Sequence, residues 1–317
     1  MNEKILLAGA GSTAIEYAKV LKALNRPYIA VGRSKESAQK FESATKTKAF
    51  TGGVETWLDA QNNFPKIAIV AVSEKNLGSV TQSLLRRGIR TILVEKPGGY
   101  TADEIRQVDR IAAEKNAHIY VAYNRRFYAS TKKAEEIIKN DGGVLSFYFD
   151  FTEWGHKIPE EKKISGETHE WFLNNSTHVI DMAFYLCGMP KKISCYAARG
   201  ISWHPNASIY AGSGICENEA LFSYHANWES AGRWGIEIIT PKHKLIFRPL
   251  EKLQIQNIGD ADTKEVALGD SLDIAYKPGF YREVESFLGN KDGLLTISDQ
   301  AKMLSWYEKI NKKNTPL

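Results

Sequence analysis

Near the start of the chain, short apolar runs alternate with segments whose apolar positions recur every three to four residues. Ile5–Ala8 leads into a helical spacing at Ile15, Ala18, Leu21 and Leu24, which Pro27 ends. Tyr28–Val31, 66–72, 91–94 and His118–Ala122 repeat the apolar run, with helical patterns over 36–43, 77–85 and 101–115 between them. Thr101 with Glu104 three residues on is a capping box that starts the last of these helices. Strands apolar on both faces and separated by helices predict a parallel sheet covered on both sides. The fold class is therefore α/β, with a doubly wound parallel sheet in a first domain over 1–124. Past Leu145 the pattern changes to strands at 145–152, 193–198, 219–228, 234–240 and 244–248, separated by Gly and Asn turns. Such a run predicts a mainly antiparallel sheet. One helix, 177–186, interrupts it and is ended by Gly188 and Pro190; others follow at 281–288 and 298–311. This second α/β domain spans 125–317.

Composition narrows the class. With 317 residues, 43% hydrophobic and 25% charged, the chain is long enough for two folded domains. The net charge of +5 is scattered, with its densest clusters at 160–163 and 309–313, so no basic stripe for a nucleic acid is expected. Cys187, Cys195 and Cys216 are odd in number and lack CxxC spacing. Neither a disulfide framework nor a metal site is expected, and a reducing cytoplasm fits. No signal peptide and no membrane span of ~20 apolar residues are read from the sequence.

The candidate chemistry lies at the carboxyl ends of the first-half strands, where parallel sheets bind ligands. The first strand runs into Gly9-Ala10-Gly11-Ser12-Thr13-Ala14, a GxGxxA turn that opens a helix. Gly9 allows the tight turn, Gly11 leaves the backbone bare where a pyrophosphate would approach, and Ala14 permits close helix–strand packing. The amides of Ser12 and Thr13 can donate to that anion, aided by the helix dipole. The motif alone is also a simple strand-to-helix turn; its place after the first strand predicts a dinucleotide. The second strand ends Val31-Gly32-Arg33-Ser34, with no carboxylate before Glu36. NAD enzymes usually place Asp or Glu here for the ribose hydroxyls. Arg33 and Ser34 instead suit a 2′-phosphate, so NADP is preferred over NAD, although Arg33 lying on the adenine fits either. Ser73, Glu95, Lys96, Pro97 and Asn124 complete the cofactor edge.

Pro97 disfavours helix at Lys96 and holds it extended at a strand end. An ammonium there can stabilise charge on a substrate oxygen as hydride moves. The alternative is a solvent lysine paired with Glu95. On Gly9 to Ala14, Glu95-Lys96-Pro97, Tyr123-Asn124-Arg125-Arg126-Phe127 and Asn175-Ser176-Thr177-His178-Val179-Ile180-Asp181, the chain resembles the glucose–fructose oxidoreductase / inositol dehydrogenase / MocA (Gfo/Idh/MocA) family. The resemblance implies a Rossmann domain, a second domain with a large open sheet and a bound nicotinamide. It implies sugar, cyclitol or sugar-nucleotide substrates, with Lys96 and His178 as catalytic residues, and often dimers or tetramers paired through the open sheet.

His178 falls in the first turn of the 177–186 helix, where the dipole opposes a cation. A neutral imidazole able to take a proton is expected there, the alternative being a capping or packing histidine. Many family members have Asp four residues earlier, where this chain has Asn174. An amide cannot titrate. Asn174 is therefore expected to orient a hydroxyl, and either His178 works alone or the chemistry differs from plain alcohol oxidation. Arg126, Tyr128, Trp154, His156, Trp171 and Asn175 are candidate substrate contacts, as is His169; the tryptophans read equally as core. The expected reaction removes a proton from a secondary alcohol at His178 while Lys96 bonds the same oxygen. An imine or double-bond reductase, a non-catalytic dinucleotide-binding regulator and a bound-cofactor epimerase are the rivals.

Overall fold

The computed structural model describes residues 3–313. In chain order, the elements begin β1 (Ile5–Ala8), α1 (Ser12–Ala23), β2 (Tyr28–Val31), α2 (Lys35–Thr45), β3 (Ala49–Phe50), α3 (Val54–Asp59), β4 (Ile67–Val70), α4 (Leu77–Arg86), β5 (Thr91–Glu95), α5 (Ala102–Glu114) and β6 (His118–Ala122). Then follow α6 (Ala129–Asp141), β7 (Ser146–Asp150), α7 (Glu160–Ile164), α8 (Thr177–Cys187), β8 (Pro190–Ala198), β9 (Ile209–Cys216), β10 (Leu221–Asn227), β11 (Gly235–Ile239), β12 (His243–Phe247), β13 (Gln254–Asn257) and β14 (Lys264–Glu265). The last are α9 (Ser271–Ala275), α10 (Phe280–Leu288), β15 (Leu295–Thr296) and α11 (Ile297–Asn311). The chain divides into two compact units, residues 3–127 with Leu272–Met303, and residues 128–271 with 304–313.

The first unit holds a seven-stranded sheet in the order β15-β6-β5-β4-β1-β2-β3. β1 to β6 are parallel, and β15 joins β6 antiparallel. The chain leaves β1 in one direction to β2 and β3, and in the other to β4, β5 and β6. The carboxyl end beside β1 is thus the switch point at which such sheets bind ligands. Ile5, Leu6, Leu7 and Ala8 are all fully buried, which is why β1 is a continuous apolar run. Residues 272–303 supplement this unit. Phe280, Val284 and Phe287 of α10 share one apolar cluster with Tyr17, Ala18 and Leu21 of α1. No local pattern announces that return, because the period of α10 reveals an apolar face without naming the face it meets.

The second unit holds an eight-stranded sheet, β14-β13-β12-β11-β7-β10-β9-β8. Neighbours are antiparallel except β7 and β10, which are parallel. Phe147 and Phe149 of β7, Phe151 just beyond it, and Phe222 and Tyr224 of β10 are all buried. Phe147 stacks on Phe222 at 5.3 Å, and Phe184 of α8 meets Phe149 at 5.6 Å. β9 lacks a strand-like alternation in the sequence because Gly212 and Gly214 interrupt its pattern. They sit opposite Tyr224 and Phe222 in the register. A Cβ at Gly212 would stand 2.4 Å from the Tyr224 ring, and one at Gly214 would stand 2.6 Å from Phe222. The glycines make room for cross-strand aromatics. α6 lacks an apolar helical stripe because its buried positions include Ser130, Thr131 and Asp141.

Candidate active site

In the first unit, the strand ends bring the predicted cofactor residues to one edge. Gly9 has φ +133°, and a Cβ on it would lie 2.2 Å from the Ala71 carbonyl oxygen, so no other residue fits this turn. Gly11 precedes α1, no side chain caps that helix, and a Cβ at Gly11 would meet nothing within 4 Å. The backbone at Gly11 thus borders clear space and no side chain caps the start of α1, so the loop fits an anionic group. Ala14 is fully buried in the cluster under the sheet. Arg33 is exposed after β2, while Ser34 caps α2 by accepting from the Ser37 amide at 3.2 Å. The nearest carboxylate, Glu36, is held by Lys40 at 2.6 Å. Ser73 is exposed after β4 and accepts from Asn76 at 2.5 Å.

Lys96 follows β5 and is joined to Pro97 by a cis peptide bond. Gln300 donates to the Pro97 carbonyl and to Tyr123 Oη, each at 3.1 Å, and so pins the turn from far along the sequence. The lysine side chain is 13% exposed, with its ammonium 3.6 Å from Glu74. Burial pushes the Lys96 pKa down; Glu74 and Glu95 oppose the shift, while Arg125 and Lys277 add to it. Lys96 is thus a largely buried lysine whose charge is poised by several neighbours, and not the solvent lysine of the alternative reading. Such a group can donate to a developing oxyanion and loses that ability as pH rises.

Two other predicted residues of this unit are committed to its packing. Asn124 is buried and donates to the Pro278 carbonyl at 2.9 Å. Arg126 is buried, reaches the Gly293 carbonyl at 3.4 Å, and acts electrostatically on Glu283 and Asp299. Both tie the segment after β6 to the 272–303 return.

In the second unit, α8 does not begin at a free helix start. Phe172–Ser176 is a π-helical turn, and Ser176 itself has helical dihedrals. The Thr177 amide is satisfied by Phe172, so His178 does not face a row of unused amides. Asn174 is buried within this turn, its amide donating to the Glu170 carbonyl at 3.1 Å. One amide N–H is thus engaged along the chain, which leaves the second N–H and the carbonyl oxygen of the amide for other partners. π-turns are uncommon and concentrate at functional sites.

His178 is 7% exposed, with its ring 6.0 Å from that of Trp234. Around it the turn assembles a cluster of which the sequence revealed only part. Glu153 is buried, accepts from Asn175 at 2.9 Å and from Ser176 at 2.7 Å, and lies 3.7 Å from Arg233. Burial raises the Glu153 pKa; Ser176, Arg233 and Asn175 pull it back. The Arg233 guanidinium lies over both Trp154 and Trp234, at 4.6 and 4.3 Å. Trp154 donates to Gly232 at 2.7 Å and stands 6.0 Å from His156. A cavity of about 1020 Å³, lined in part by Glu153, Trp154, His156, Trp203, Trp228 and Gly232, opens here and is large enough for a sugar-sized ligand. Trp171 meets Trp203 edge-on at 6.4 Å, and His169 is exposed. Tyr128 is buried at the start of α6, apart from that lining. Glu153, Arg233 and Trp234 had no motif to betray them; a lone Glu after an aromatic strand was the sole sequence signal.

All three cysteines are free thiols. No described helix is long and apolar enough to cross a membrane. Among the described residues, no cluster of three His, Cys, Asp or Glu side chains is arranged to hold a metal.

Residues 4–123 match the Gfo/Idh/MocA family, described as an oxidoreductase family with an NAD-binding Rossmann fold. No curated protein gives a significant sequence match. Among solved structures, a levoglucosan dehydrogenase in complex with NADH and L-sorbose superposes with a TM-score of 0.79 at 18% identity, over 98% of this chain and 96% of that one. UDP-N-acetylglucosamine 3-dehydrogenase GnnA from Acidithiobacillus ferrooxidans superposes at 0.75 and 12% identity, over 98% and 97%. A dehydrogenase (MviM) from Clostridium difficile superposes at 0.78 and 18% identity, over 98% and 99%. At these identities the likeness is one of fold, and it extends through both units.

Proposed function

We propose that this chain, whose residues 4–123 match the Gfo/Idh/MocA family of oxidoreductases with an NAD-binding Rossmann fold, moves hydride between a nicotinamide dinucleotide and a secondary alcohol or ketone of a sugar, cyclitol or sugar nucleotide. The observation that carries the reading is Lys96: a buried ammonium at the carboxyl end of β5, in the sheet whose switch point bears the bare Gly11 loop. The sugar class rests on the His178 cluster, with Asn175, Glu153 and Trp154 able to meet hydroxyls and a sugar face, and on the sugar dehydrogenases that share the fold. The loop 9–14 and Arg33 would hold the dinucleotide, which supplies the hydride acceptor when bound. His178 takes the hydroxyl proton. Lys96 donates to the same oxygen and steadies its charge. Glu153 fixes Asn175 and Ser176, and thus the turn that presents His178. Asn174, engaged with Glu170, holds this turn rather than relaying a proton. The test is nicotinamide absorbance over a panel of polyols, inositols, sugar acids and sugar nucleotides; oxidation of none of them, with dinucleotide bound, would reject the reading.

We prefer NADP over NAD. The support is local: Arg33 is exposed beyond β2, and the one nearby carboxylate is paired with Lys40. Arg33→Ala is expected to raise the KM for NADPH about tenfold to a hundredfold, the ~1.5–3 kcal/mol of a lost charge-assisted hydrogen bond, and to leave that for NADH nearly unchanged. Equal effects on both dinucleotides would place Arg33 against the adenine instead.

We also propose a homodimer or homotetramer formed through the second sheet, in a cytoplasmic enzyme whose free thiols suit a reducing compartment. Leu221 and Tyr196 are exposed on the sheet face opposite the phenylalanine core. Leu221→Lys is expected to halve the mass measured by light scattering, and an unchanged mass would move the interface elsewhere.

A further inference from the structure

Tyr17 of α1, Glu95 at the end of β5 and Glu283 of α10 meet inside the first unit. Tyr17 Oη lies 2.8 Å from Glu95 Oε1 and 3.4 Å from Glu283 Oε2. Tyr17 and Glu283 are wholly buried, and Glu283 Oε1 has no hydrogen-bond partner among the described residues. A phenol has a single proton to give, and the shorter contact assigns it to Glu95. A charged Glu283 would then face the phenol's lone pairs with one oxygen and no hydrogen-bond donor with the other. A buried charge in that position is far costlier than a neutral acid.

We propose that Glu283 is a positioning residue that carries a proton at neutral pH and donates it to Tyr17 Oη, so that Tyr17 donates to Glu95 and Glu95 remains the one carboxylate of the three beside Lys96. The link to catalysis rests on the assignment of Lys96 above; the placement of the proton does not. The surrounding charges agree. Glu283 is pushed well up by burial and by Glu95, with Lys277, the Tyr17 hydrogen bond and Arg126 opposing. Burial also lifts Glu95, but Lys277, Lys96 and the Tyr17 hydrogen bond draw it back. Lys96 in turn has Glu74 and Glu95 to hold its proton against burial, Arg125 and Lys277. An uncharged Glu283 thus lets one phenol serve Glu95 without adding a second negative charge to the core.

The acid raised by folding contributes stability in full below its unfolded value, and that stability is lost as pH rises through the folded one. The Tm of the native protein should therefore fall on the alkaline side more than that of Glu283→Gln, which is neutral at every pH. The decisive experiment is infrared spectroscopy of the full chain near neutral pH, with Glu283→Gln, Glu283→Leu and Tyr17→Phe. A protonated-glutamate carbonyl band present in the native protein and missing from Glu283→Gln is the expected result. In Tyr17→Phe the band should persist at a higher frequency, because its acceptor is gone. That second comparison decides the matter if the Glu283 variants do not fold. Where turnover is measured, Tyr17→Phe, which removes the donor to Glu95, should move the alkaline limb of kcat/KM to lower pH by about one unit, a tenfold loss on that limb, whereas Glu283→Gln, uncharged and able to donate, should leave the limb in place. No difference band in Glu283→Gln, or an unmoved band in Tyr17→Phe, overturns the proposal. The expected bands without oxidation of any polyol would leave the proton where it is placed and reject only the role of Lys96.

Discussion

Lys96→Ala should lower kcat about a thousandfold while dinucleotide binding stays within a few-fold of the native protein. The size follows from the removal of one preorganised donor to a developing oxyanion, which typically costs 10²–10³ in kcat. Lys96 suits this work because its side chain is nearly buried, at the end of a central strand, with the following turn pinned by Gln300. A donor fixed in that way needs no rearrangement when charge appears. The native rate should also decline at high pH, since burial lowers the lysine pKa and the ammonium is lost as pH rises through it. Lys96→Arg keeps a charge but not its shape or reach, and is expected to recover little. Single-turnover absorbance after mixing with substrate separates the chemical step from cofactor binding. A variant that loses dinucleotide affinity and keeps its chemical rate would make Lys96 a cofactor residue instead.

His178→Ala is the second large effect, a loss of about 10²–10⁴ in kcat, as expected for removal of a general base. The side chain is buried beside Trp234, so truncation also opens a space of imidazole size. That space allows a sharper test. Added imidazole should restore part of the rate to His178→Ala and none to Lys96→Ala. A packing histidine would give a variant with lowered Tm, a near-native rate per folded molecule, and no response to imidazole.

Much of this was legible in the sequence, and what was not has physical reasons. The parallel sheet could be read because strands covered on both faces must be apolar throughout, as Ile5–Ala8 is. Gly9 and Gly11 could be read because a bare backbone beside a helix start has few purposes. Lys96 and His178 came from the family resemblance more than from their surroundings. His178 does not sit at an open helix start, because a π-turn continues into α8 and consumes the Thr177 amide. Single-residue patterns carry no sign of such a turn. Glu153, Arg233 and Trp234 lie at strand ends or between strands, and they matter because strand pairing brings β7 and β11 side by side. Arg126 looked like a ligand for an anion, yet its guanidinium is buried toward Gly293, a partner 167 positions away. The return of residues 272–303 to the first unit is likewise a tertiary choice, made by the apolar surface on α1 and α10.

The claim on which the rest stands is that Lys96 and His178 serve one oxygen in one step, and a double-mutant cycle measures it. If they act as a unit, Lys96→Ala combined with His178→Ala should be little slower than the worse single variant, as with other catalytic groups that work together. Losses that multiply, so that the double variant falls by the product of the two single effects, would mean that the two side chains act independently and would contradict the mechanism.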